Sequence, residues 1–221
     1  MWRLPHVRLG APIGAELWGP MTANPLHNDK AALRSRLLAG RRALSPARRA
    51  SAAGELAVHA AALAEPGWTV AAYVSVGGEP GTGPLLDALA ARGVRVLLPV
   101  LLADNDLDWA PYEGREALAP ASRGLLEPTG PRLGPEAVCG ARLVLLPGLA
   151  VDRRGVRLGR GGGSYDRVLA RLAAAGAEPL LATLLYEEEL LPEVPGEAHD
   201  LPVDAVVTPS GVHRFRGGAA G

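Results

Sequence analysis

Residues 142–167 read RLVLLPGLAVDRRGVRLGRGGGSYDR, and the order of features in this stretch decides the fold class. It opens with a nearly all-apolar run over 142–146, which is typical of an interior strand of a parallel sheet. The chain then turns at Pro147-Gly148 and passes through a glycine-rich loop. A helix is predicted over 164–175, directly after that loop. Open α/β sheets bind their ligands where a strand is joined to a helix in this way, so the stretch predicts both the fold and the position of a site.

The same alternation of strands and helices extends in both directions from this stretch. Apolar runs predict strands, and apolar positions near a 3.6-residue period predict helices. The predicted strands are 69–76, 94–100, 107–112, 142–146, 180–186 and 203–208, and the predicted helices are 28–44, 46–63, 84–91 and 164–175. Ser45, which precedes Pro46, and Thr82 are predicted to cap the second and third helices. We therefore predict an α/β fold: a single three-layer α/β/α domain with a mostly parallel, Rossmann-like sheet.

We place this domain at 29–213, followed by a flexible tail at 214–221. Residues 1–28 contain four prolines and show neither a helical nor an alternating period. They are interpreted as a disordered extension, or as the result of an upstream start codon with Met21 as the true start. No apolar run approaches the roughly 20 residues that a membrane span needs.

The composition excludes several classes of protein. Of the 221 residues, 48% are hydrophobic and 21% are charged, which excludes disorder as the general state. Lys+Arg and Asp+Glu number 23 each, so net charge gives no reason to expect a nucleic-acid or membrane partner. Cys139 is the only cysteine, which excludes a disulfide framework and a thiolate zinc site. A single cysteine suits a reducing compartment, and we expect a cytoplasmic protein.

Lysine occurs at one position only, Lys30, while the other 22 basic residues are arginine. A Walker A loop, which ends in Gly-Lys-Ser/Thr, is therefore excluded. Any kinase-type or Schiff-base lysine would have to be Lys30 itself. The high content of Ala, Arg, Gly and Pro indicates that lysine was replaced wherever replacement was tolerated.

Charge is unevenly distributed along the chain. Residues 30–49 carry basic and no acidic side chains, whereas the segment between 172 and 213 has eight acidic residues and no lysine or arginine. We expect these two segments to pack together or to share one ligand. Within the acidic segment, Glu187–Glu189 are predicted to face solvent, while Asp200 and Asp204 are better placed for a functional role.

The glycine-rich loop carries most of the candidate chemistry. Glycines let backbone N–H groups converge on an anion, and the N-terminus of the following helix adds a partial positive charge. Arg157 and Arg160 can make bidentate contacts to phosphate, and Asp166, one turn into the helix, can hold a magnesium ion. The loop does not match the dinucleotide fingerprint, because position 164 is serine, and Asp166 breaks the Gly-x-Ser-x-Gly elbow. A plain structural turn is the alternative to phosphate binding at this point.

The motifs around this loop resemble the signature of the 5-formyltetrahydrofolate cyclo-ligase family. Leu-Pro-Gly-Leu-Ala-Val-Asp over 146–152 is followed by Gly155 and then by Arg-Leu-Gly-x-Gly-Gly-Gly-x-Tyr-Asp-Arg over 157–167. Further matching motifs are Lys30-x-x-Leu33-Arg34, Tyr73-x5-Glu79-x-x-Thr82, Glu127-Pro128, Val194-Pro195, His199-Asp200, Val203-Asp204 and Thr208. The resemblance therefore runs from Lys30 to Thr208 in family order, which is far more specific than one glycine loop.

The resemblance implies an ATP-dependent enzyme that uses Mg²⁺. ATP would phosphorylate the formyl oxygen of 5-formyltetrahydrofolate to give an activated iminium phosphate. The neighbouring N10 would attack the formyl carbon, and 5,10-methenyltetrahydrofolate, ADP and phosphate would be released. Catalysis of this kind depends mainly on positioning and electrostatics.

The resemblance also implies the roles of individual residues. The implied ATP-binding residues are Lys30, Ala31, Ala32, Leu33, Arg34, Arg157, Leu158, Gly159, Arg160, Gly161, Gly162, Gly163, Ser164 and Tyr165. The implied folate-binding residues are Arg34, Val74, Glu79, Arg160, Gly161, Gly162, Gly163 and Ser164. Lys30, Arg157 and Arg160 are the implied catalytic residues, and Asp166 and Asp200 the implied magnesium ligands.

Two positions depart from the family pattern. Ser164 stands where many members have a second aromatic residue, and Arg160 replaces a frequent tyrosine. Rival interpretations are a sugar-phosphate isomerase or CoA transferase-like enzyme on a similar sheet, and a non-catalytic nucleotide-binding module. We expect a monomer whose partners are 5-formyltetrahydrofolate and MgATP, with neither nucleic acid nor membrane.

Overall fold

The structure is a computed structural model that describes residues 30–195 and 201–215. Its helices are α1 Lys30–Ala43, α2 Pro46–Ala61, α3 Gly83–Ala91 and α4 Ser164–Ala174. Its strands are β1 Thr69–Ala71, β2 Arg95–Leu101, β3 Leu107–Pro111, β4 Leu118–Pro120, β5 Leu126–Pro128, β6 Leu143–Pro147, β7 Ala150–Asp152, β8 Arg157–Leu158, β9 Leu180–Leu184, β10 Leu190–Leu191, β11 Ala205–Thr208 and β12 Gly211–Arg214. No helix in these two ranges is long and apolar enough to cross a membrane.

A seven-stranded sheet in the order β12-β11-β9-β6-β1-β2-β3 forms the centre of the molecule. The five inner strands pair in parallel, and β12 and β3 pair antiparallel at the two edges. Inner strands such as β6 are buried on both faces, which explains their nearly continuous apolar sequence. The prediction of a mostly parallel sheet is confirmed.

Helices cover both faces of this sheet, as predicted for a three-layer domain. Leu56 of α2 and Leu86 of α3 belong to one buried cluster on the first face. Val168 of α4 and Val138 of a 3-10 turn at Pro135–Gly140 belong to a second cluster on the opposite face, together with Trp109. Each helix therefore buries one apolar stripe against the sheet.

The direction in which the chain crosses the sheet reverses between β1 and β6. From β1 the chain moves through α3 to β2 on one side, whereas from β6 it moves to β9 and β11 on the other. The carboxyl ends of β1 and β6 are therefore neighbours whose connections diverge, and a crevice opens between them. Such a switch point is the usual place for a ligand in an open α/β sheet.

Two small sheets flank this crevice. Strands β10, β7 and β8 form one, and helix α1 packs on it through Leu33, which contacts a cluster containing Leu149, Leu158 and Val194. Strands β4 and β5 form an antiparallel hairpin. The predicted elements did not include these strands, because runs of two or three residues carry too little periodicity to be recognised.

The predicted strand over 69–76 is wrong in its second half, since β1 ends at Ala71. The N–H of Ser75 donates to the Thr82 hydroxyl at 2.9 Å, and the N–H of Val76 donates to the Glu79 carboxylate at 2.9 Å. These side chains of the following turn replace a neighbouring strand as the hydrogen-bond partner. Thr82 consequently does not cap α3, in contrast to the prediction, whereas Ser45 caps α2 by accepting from the N–H of Arg48 at 3.2 Å.

The prediction that the basic and acidic segments pack together is confirmed. Arg48 pairs with Glu188 at the surface, and Arg41 pairs with Glu189 in the interior. The prediction that Glu189 faces solvent is wrong, because its residue is only 4% exposed. Asp204 has a structural contact, since its carboxylate accepts from the N–H of Leu181 at 2.8 Å.

Strand β12 extends through Arg214, one residue beyond the predicted end of the domain. The N–H of Phe215 also bonds to the carbonyl of Asp204 at 3.0 Å. The predicted extension at 1–28 and the tail beyond 215 lie outside the described residues.

Candidate functional site

A cavity of about 440 Å³ occupies the crevice at the carboxyl ends of β1 and β6. One half is formed by the glycine-rich loop and the start of α1. The other half is formed by the segment after β1, the carboxyl end of β2 and the β4–β5 hairpin. The sequence-predicted residues that line it are Lys30, Arg34, Val74, Glu79, Arg157, Leu158, Gly159, Arg160, Gly161, Gly162, Gly163, Ser164, Tyr165 and Asp166.

Three predicted ATP-binding positions do not line this cavity. Ala31 and Ala32 lie on the exposed face of α1, and the Leu33 side chain is buried against the small sheet that contains β8. Leu33 therefore fixes α1 to the site, and the polar residues that flank it on the helix reach the cavity. Asp200, the second implied metal ligand, lies outside the described residues.

The glycine-rich loop has the conformation that its glycines allow. Gly161 has φ +92° and Gly163 has φ +76°, a region that other residues rarely adopt. Gly163 is also the N-cap of α4, so the loop ends where the backbone N–H groups of that helix begin. At Gly162 an added Cβ would meet nothing within 4 Å, which leaves room beside the loop. A loop of this shape suits an anion.

Arg157 connects the end of β6 to the start of α4. Its guanidinium donates to the carbonyl of Pro147 at 3.0 Å and to the Asp166 carboxylate at 2.9 Å. The Arg157 side chain is 7% exposed, whereas that of Asp166 is 73% exposed. Arg157 is thus a fixed positive charge beneath the loop, and Asp166 stands at the surface of the cavity.

Helix α1 contributes two more cations to the same half of the cavity. Arg34 donates from Nε to the carbonyl of Gly159 at 2.9 Å, so the helix is bonded directly to the loop. A Cβ at Gly161 would lie 3.7 Å from the guanidinium carbon of Arg34, which shows how closely the two elements approach. Lys30 lines the cavity at the first residue of α1. The loop half therefore gathers four cationic side chains around one small volume, an arrangement that suits a polyphosphate.

Glu79 faces this cationic half from the opposite wall. Its carboxylate accepts from the N–H of Val76, and its carbonyl accepts from the Tyr186 hydroxyl at 3.3 Å. The other carboxylate oxygen pairs with Arg160 at 3.4 Å, and the Glu79 side chain is 10% exposed. This carboxylate is therefore held in a fixed position and can accept hydrogen bonds from a ligand with N–H donors.

Two tyrosines also line the cavity, and both keep their protons. Burial raises the pKa of the Tyr73 and Tyr165 hydroxyls, and the nearby Glu79 carboxylate raises the pKa of each further. Both therefore remain neutral and can donate a hydrogen bond at neutral pH. The sequence indicated Tyr73 only as part of the Tyr73-x5-Glu79-x-x-Thr82 motif, because the position lay inside the predicted strand 69–76.

The half of the cavity away from the loop is mostly apolar. Its lining residues were not predicted as site residues. The residues are Val76, Pro99, Leu101, Leu107, Leu125 and Leu126, together with Arg123 and Glu127. Glu127 accepts from the N–H of Leu101 at 3.0 Å, which joins the hairpin to the end of β2. The Glu127-Pro128 motif was the signal in the sequence that this segment belongs to the site.

A buried ion pair between Arg41 and Glu189 attaches helix α1 to the segments that follow β6 and β9. Arg41 of α1 donates from Nε to Glu189 at 2.6 Å and from Nη2 to the carbonyl of Gly148 at 2.6 Å. Its guanidinium also lies 5.8 Å from the centre of the Tyr186 ring, within the range of a cation–π contact. Arg41 thereby joins α1 to the ends of β6 and β9.

The donor set for a metal ion at this site is small. Among the residues that the structure describes, no group of three His, Cys, Asp or Glu side chains could hold a metal ion. Mg²⁺ in nucleotide sites usually takes only one or two carboxylates and completes its shell with phosphates and water. Asp166, exposed at the cavity beside the glycine-rich loop, fits that limited requirement.

Comparison with known proteins gives a consistent result. The model of the 5-formyltetrahydrofolate cyclo-ligase family matches residues 26–209. The 5-formyltetrahydrofolate cyclo-ligase of Mycolicibacterium smegmatis is 43% identical over 188 residues, which are 82% of this chain and 94% of that protein. The 5-formyltetrahydrofolate cyclo-ligase of Escherichia coli K12 is 34% identical over 146 residues, which are 65% and 79% of the two chains.

Solved structures agree with these relatives. The NMR structure of Aquifex aeolicus 5,10-methenyltetrahydrofolate synthetase superimposes with a TM-score of 0.71 at 28% identity, covering 87% of this chain and 95% of the other. The 5,10-methenyltetrahydrofolate synthetase from Mycoplasma pneumoniae has a TM-score of 0.63 at 20% identity, covering 80% and 97%, and shares the fold.

Proposed function

This chain belongs to the 5-formyltetrahydrofolate cyclo-ligase family, and from that premise we propose that it converts 5-formyltetrahydrofolate and ATP into 5,10-methenyltetrahydrofolate, ADP and phosphate. The observation that supports this most directly is a single cavity with two different halves. One half offers a glycine loop and four cations, which suit a triphosphate. The other offers an apolar wall and a fixed carboxylate, which suit a pteridine with N–H donors.

The reaction needs the two substrates to meet at one atom. The formyl oxygen attacks the γ-phosphorus of ATP, and the bond from that phosphorus to the β–γ bridging oxygen breaks to release ADP. The N10 amine then attacks the formyl carbon and loses its proton, and the C–O bond breaks to release phosphate. Neither step requires a covalent bond to the protein, so its contribution is alignment and charge neutralisation.

The cations of the loop half are assigned to the phosphates. Lys30 and Arg160 would contact the transferred phosphoryl group, and Arg157 would hold the loop and add its buried charge. Fixed positive charges that require no reorganisation stabilise the charge that develops during phosphoryl transfer. Backbone N–H groups from Gly159 to Ser164 would bind the remaining phosphate oxygens.

Glu79 is assigned to the pteridine ring. The ring and its 2-amino group offer adjacent N–H donors, and a carboxylate with two oxygens can accept from both. Its bond to the Val76 N–H keeps one oxygen oriented, while Arg160 would exchange its present partner for phosphate. Val74 would pack against the ring from the same segment.

Asp166, and Asp200 beyond the described residues, would hold a magnesium ion at the phosphates. When bound, such an ion would neutralise phosphate charge and so would favour the approach of the formyl oxygen to the γ-phosphorus. The side chain of Asp166 is well exposed and lines the cavity, and its bond to Arg157 holds one carboxylate oxygen in place.

The activity is tested by mixing the protein with 5-formyltetrahydrofolate and MgATP and following the absorbance of methenyltetrahydrofolate. We expect product only when both substrates are present, with one ADP released for each product. A folded protein that forms no product would refute the proposal. Stoichiometric nucleotide binding without ADP release would indicate a non-catalytic module instead.

The metal assignment is tested at Asp166. We expect Asp166→Asn to raise the KM for MgATP about tenfold, because the charge is lost while the hydrogen bond to Arg157 is kept. Asp166→Ala should do the same and leave the circular dichroism spectrum intact, since the side chain is largely exposed. Glu178→Ala, an exposed carboxylate after α4, is the matched control and should behave as wild type. An unchanged KM in Asp166→Asn would contradict the metal role.

A further inference from the structure

The apolar half of the cavity has a cation of its own at its edge. Arg123 lies in the turn Ser122–Gly124 that joins β4 to β5, and it lines the same cavity as the glycine loop. The other cationic side chains that line this cavity within the described ranges belong to α1 or to the glycine loop. Arg123 is therefore separated in the chain and in the fold from the cations assigned to phosphate.

The guanidinium of Arg123 makes no hydrogen bond or ion pair with the part of the chain that the structure describes. The carboxylate closest to it in sequence among the lining residues, Glu127, is bonded to the N–H of Leu101. Among the described residues, Arg123 is thus a charge without a hydrogen-bond or ion-pair partner at the edge of the cavity.

The hairpin that carries Arg123 is nevertheless well fixed. Strands β4 and β5 pair in register, and Ala121 donates to the carbonyl of Leu125 at 2.9 Å across the turn. The bond from Leu101 to Glu127 ties β5 to the end of β2. The backbone therefore presents Arg123 at a defined place.

Two leucines of the hairpin accompany this charge. Leu125 and Leu126 line the cavity, and Leu126 is 42% exposed, one of few large apolar side chains in the described chain that face solvent. An exposed leucine and an unpaired arginine on one edge suit a ligand that is apolar along its length and anionic at its end.

A folate is apolar along its aminobenzoyl group and anionic at its glutamate end. The proposed function determines which end of the folate lies at the glycine loop. With the pteridine at Glu79 and the formyl group toward the glycine loop, the aminobenzoyl group must extend along the remaining apolar wall. Its far end carries the carboxylates of the glutamate. That end would emerge at the hairpin, because the hairpin is bonded to the end of β2, whereas the glycine loop is bonded to the end of β6, on the other side of β1.

We propose that Arg123 binds a glutamate carboxylate of the folate, with Leu125 and Leu126 packed against the aminobenzoyl ring. This inference rests on the proposed function and makes Arg123 a specificity-determining residue for the same reaction. It also commits the apolar half of the cavity to the folate, and not to the adenine of ATP.

The test compares two substrates in the wild type and in Arg123→Asn. Asparagine is chosen because Arg123 has φ +57°, a conformation that asparagine tolerates. The second substrate is the 5-formyltetrahydrofolate diamide, in which both glutamate carboxylates are carboxamides of similar size. We expect Arg123→Asn to raise the KM for 5-formyltetrahydrofolate about tenfold with little change in kcat, and to leave the KM for the diamide unchanged.

Two further variants make this result specific. Arg123→Lys keeps the charge and should retain most of the affinity for 5-formyltetrahydrofolate. Arg132→Asn removes an exposed arginine outside the cavity and should match wild type with both substrates. The KM of the wild type for 5-formyltetrahydrofolate should rise with ionic strength, and that dependence should weaken in Arg123→Asn.

Several outcomes would overturn the inference. They are an unchanged KM for 5-formyltetrahydrofolate in Arg123→Asn, an equal rise for both substrates, and a rise in the KM for ATP alone. Each of these requires turnover by the wild type, so they are distinct from failure of the proposed function, in which wild type forms no product from either substrate.

Discussion

At the scale of single residues, Lys30 is the clearest case of a position that composition alone does not explain. Every other basic residue of the chain is arginine, yet the one lysine is the first residue of α1 and lines the cavity beside the glycine loop. A lysine ammonium is a compact charge that can approach one oxygen closely, whereas a guanidinium is planar and wider. The retained lysine is consistent with contact to a transferred phosphoryl group.

We expect Lys30→Arg to lower kcat/KM for ATP about tenfold or more, because a planar guanidinium cannot place its charge on one phosphate oxygen as a compact ammonium does. Arg36→Lys, on the exposed face of the same helix, is the matched control and should not change turnover. Steady-state kinetics at saturating 5-formyltetrahydrofolate measures both. If Lys30→Arg turned over at the wild-type rate, the position of the only lysine would have no functional explanation.

Residue roles were predictable where a local motif defined them. The loop from Arg157 to Asp166 could be assigned because glycines, arginines and a helix start are adjacent in the chain. Glu189 was predicted wrongly because three consecutive glutamates suggest solvent exposure, and its partner Arg41 is 148 residues away. Arg123 was not predicted, since the nearby Glu127-Pro128 motif indicates that the segment matters but not that Arg123 reaches the cavity.

At the scale of elements, the four helices and the central strands followed from apolar periodicity. The positions at which these elements end were less predictable. In β1, for example, the apolar residues continue to Val76, but the strand ends at Ala71. Side chains of Glu79 and Thr82 compete for the N–H groups there, and that competition depends on tertiary structure. The shift makes Tyr73, Val74 and Val76 part of the wall of the cavity.

In the turn between β7 and β8, the backbone geometry requires glycine at position 155. Gly155 has φ +83°, its N–H donates to the carbonyl of Asp152, and an added Cβ would lie 2.6 Å from the carbonyl of Val203. We expect Gly155→Ala to lower the free energy of unfolding by at least about 2 kcal/mol, measured by urea denaturation.

Gly54→Ala, in contrast, is expected to stabilise the protein. Gly54 is exposed in the interior of α2, and a Cβ there would meet nothing within 4 Å. Alanine should raise the free energy of unfolding by about 0.5–1 kcal/mol, because it restricts the unfolded chain and favours the helix. Equal effects of the two substitutions would contradict the assigned role of the Gly155 turn.

At the scale of the whole molecule, the buried pair of Arg41 and Glu189 attaches the first helix to the sheet. Removing one member leaves an uncompensated charge in the interior. We expect Arg41→Met to lower the free energy of unfolding by about 3–5 kcal/mol. Adding Glu189→Gln should recover about 2 kcal/mol of that loss, because the neutral amide can still accept from the N–H of Tyr186.

The surface pair of Arg48 and Glu188 is the control for this experiment. Both side chains are more than half exposed, so Arg48→Met should change the free energy of unfolding by less than about 0.5 kcal/mol. Urea denaturation of the three variants and the wild type gives the comparison. A double variant no more stable than Arg41→Met would show that the buried charge is not the cause of the loss.

The buried pair has a further consequence for how the protein is made. Arg41 leaves the ribosome early, but Glu189 follows 148 residues later. At about 5–20 residues per second, roughly 7–30 s pass before the partner exists. Until then the first helix lacks this anchor on the sheet, and only contacts such as those of Leu33 and Arg34 can hold it against the glycine loop. A nascent chain therefore cannot complete the support of this cavity before nearly the whole domain has been synthesised.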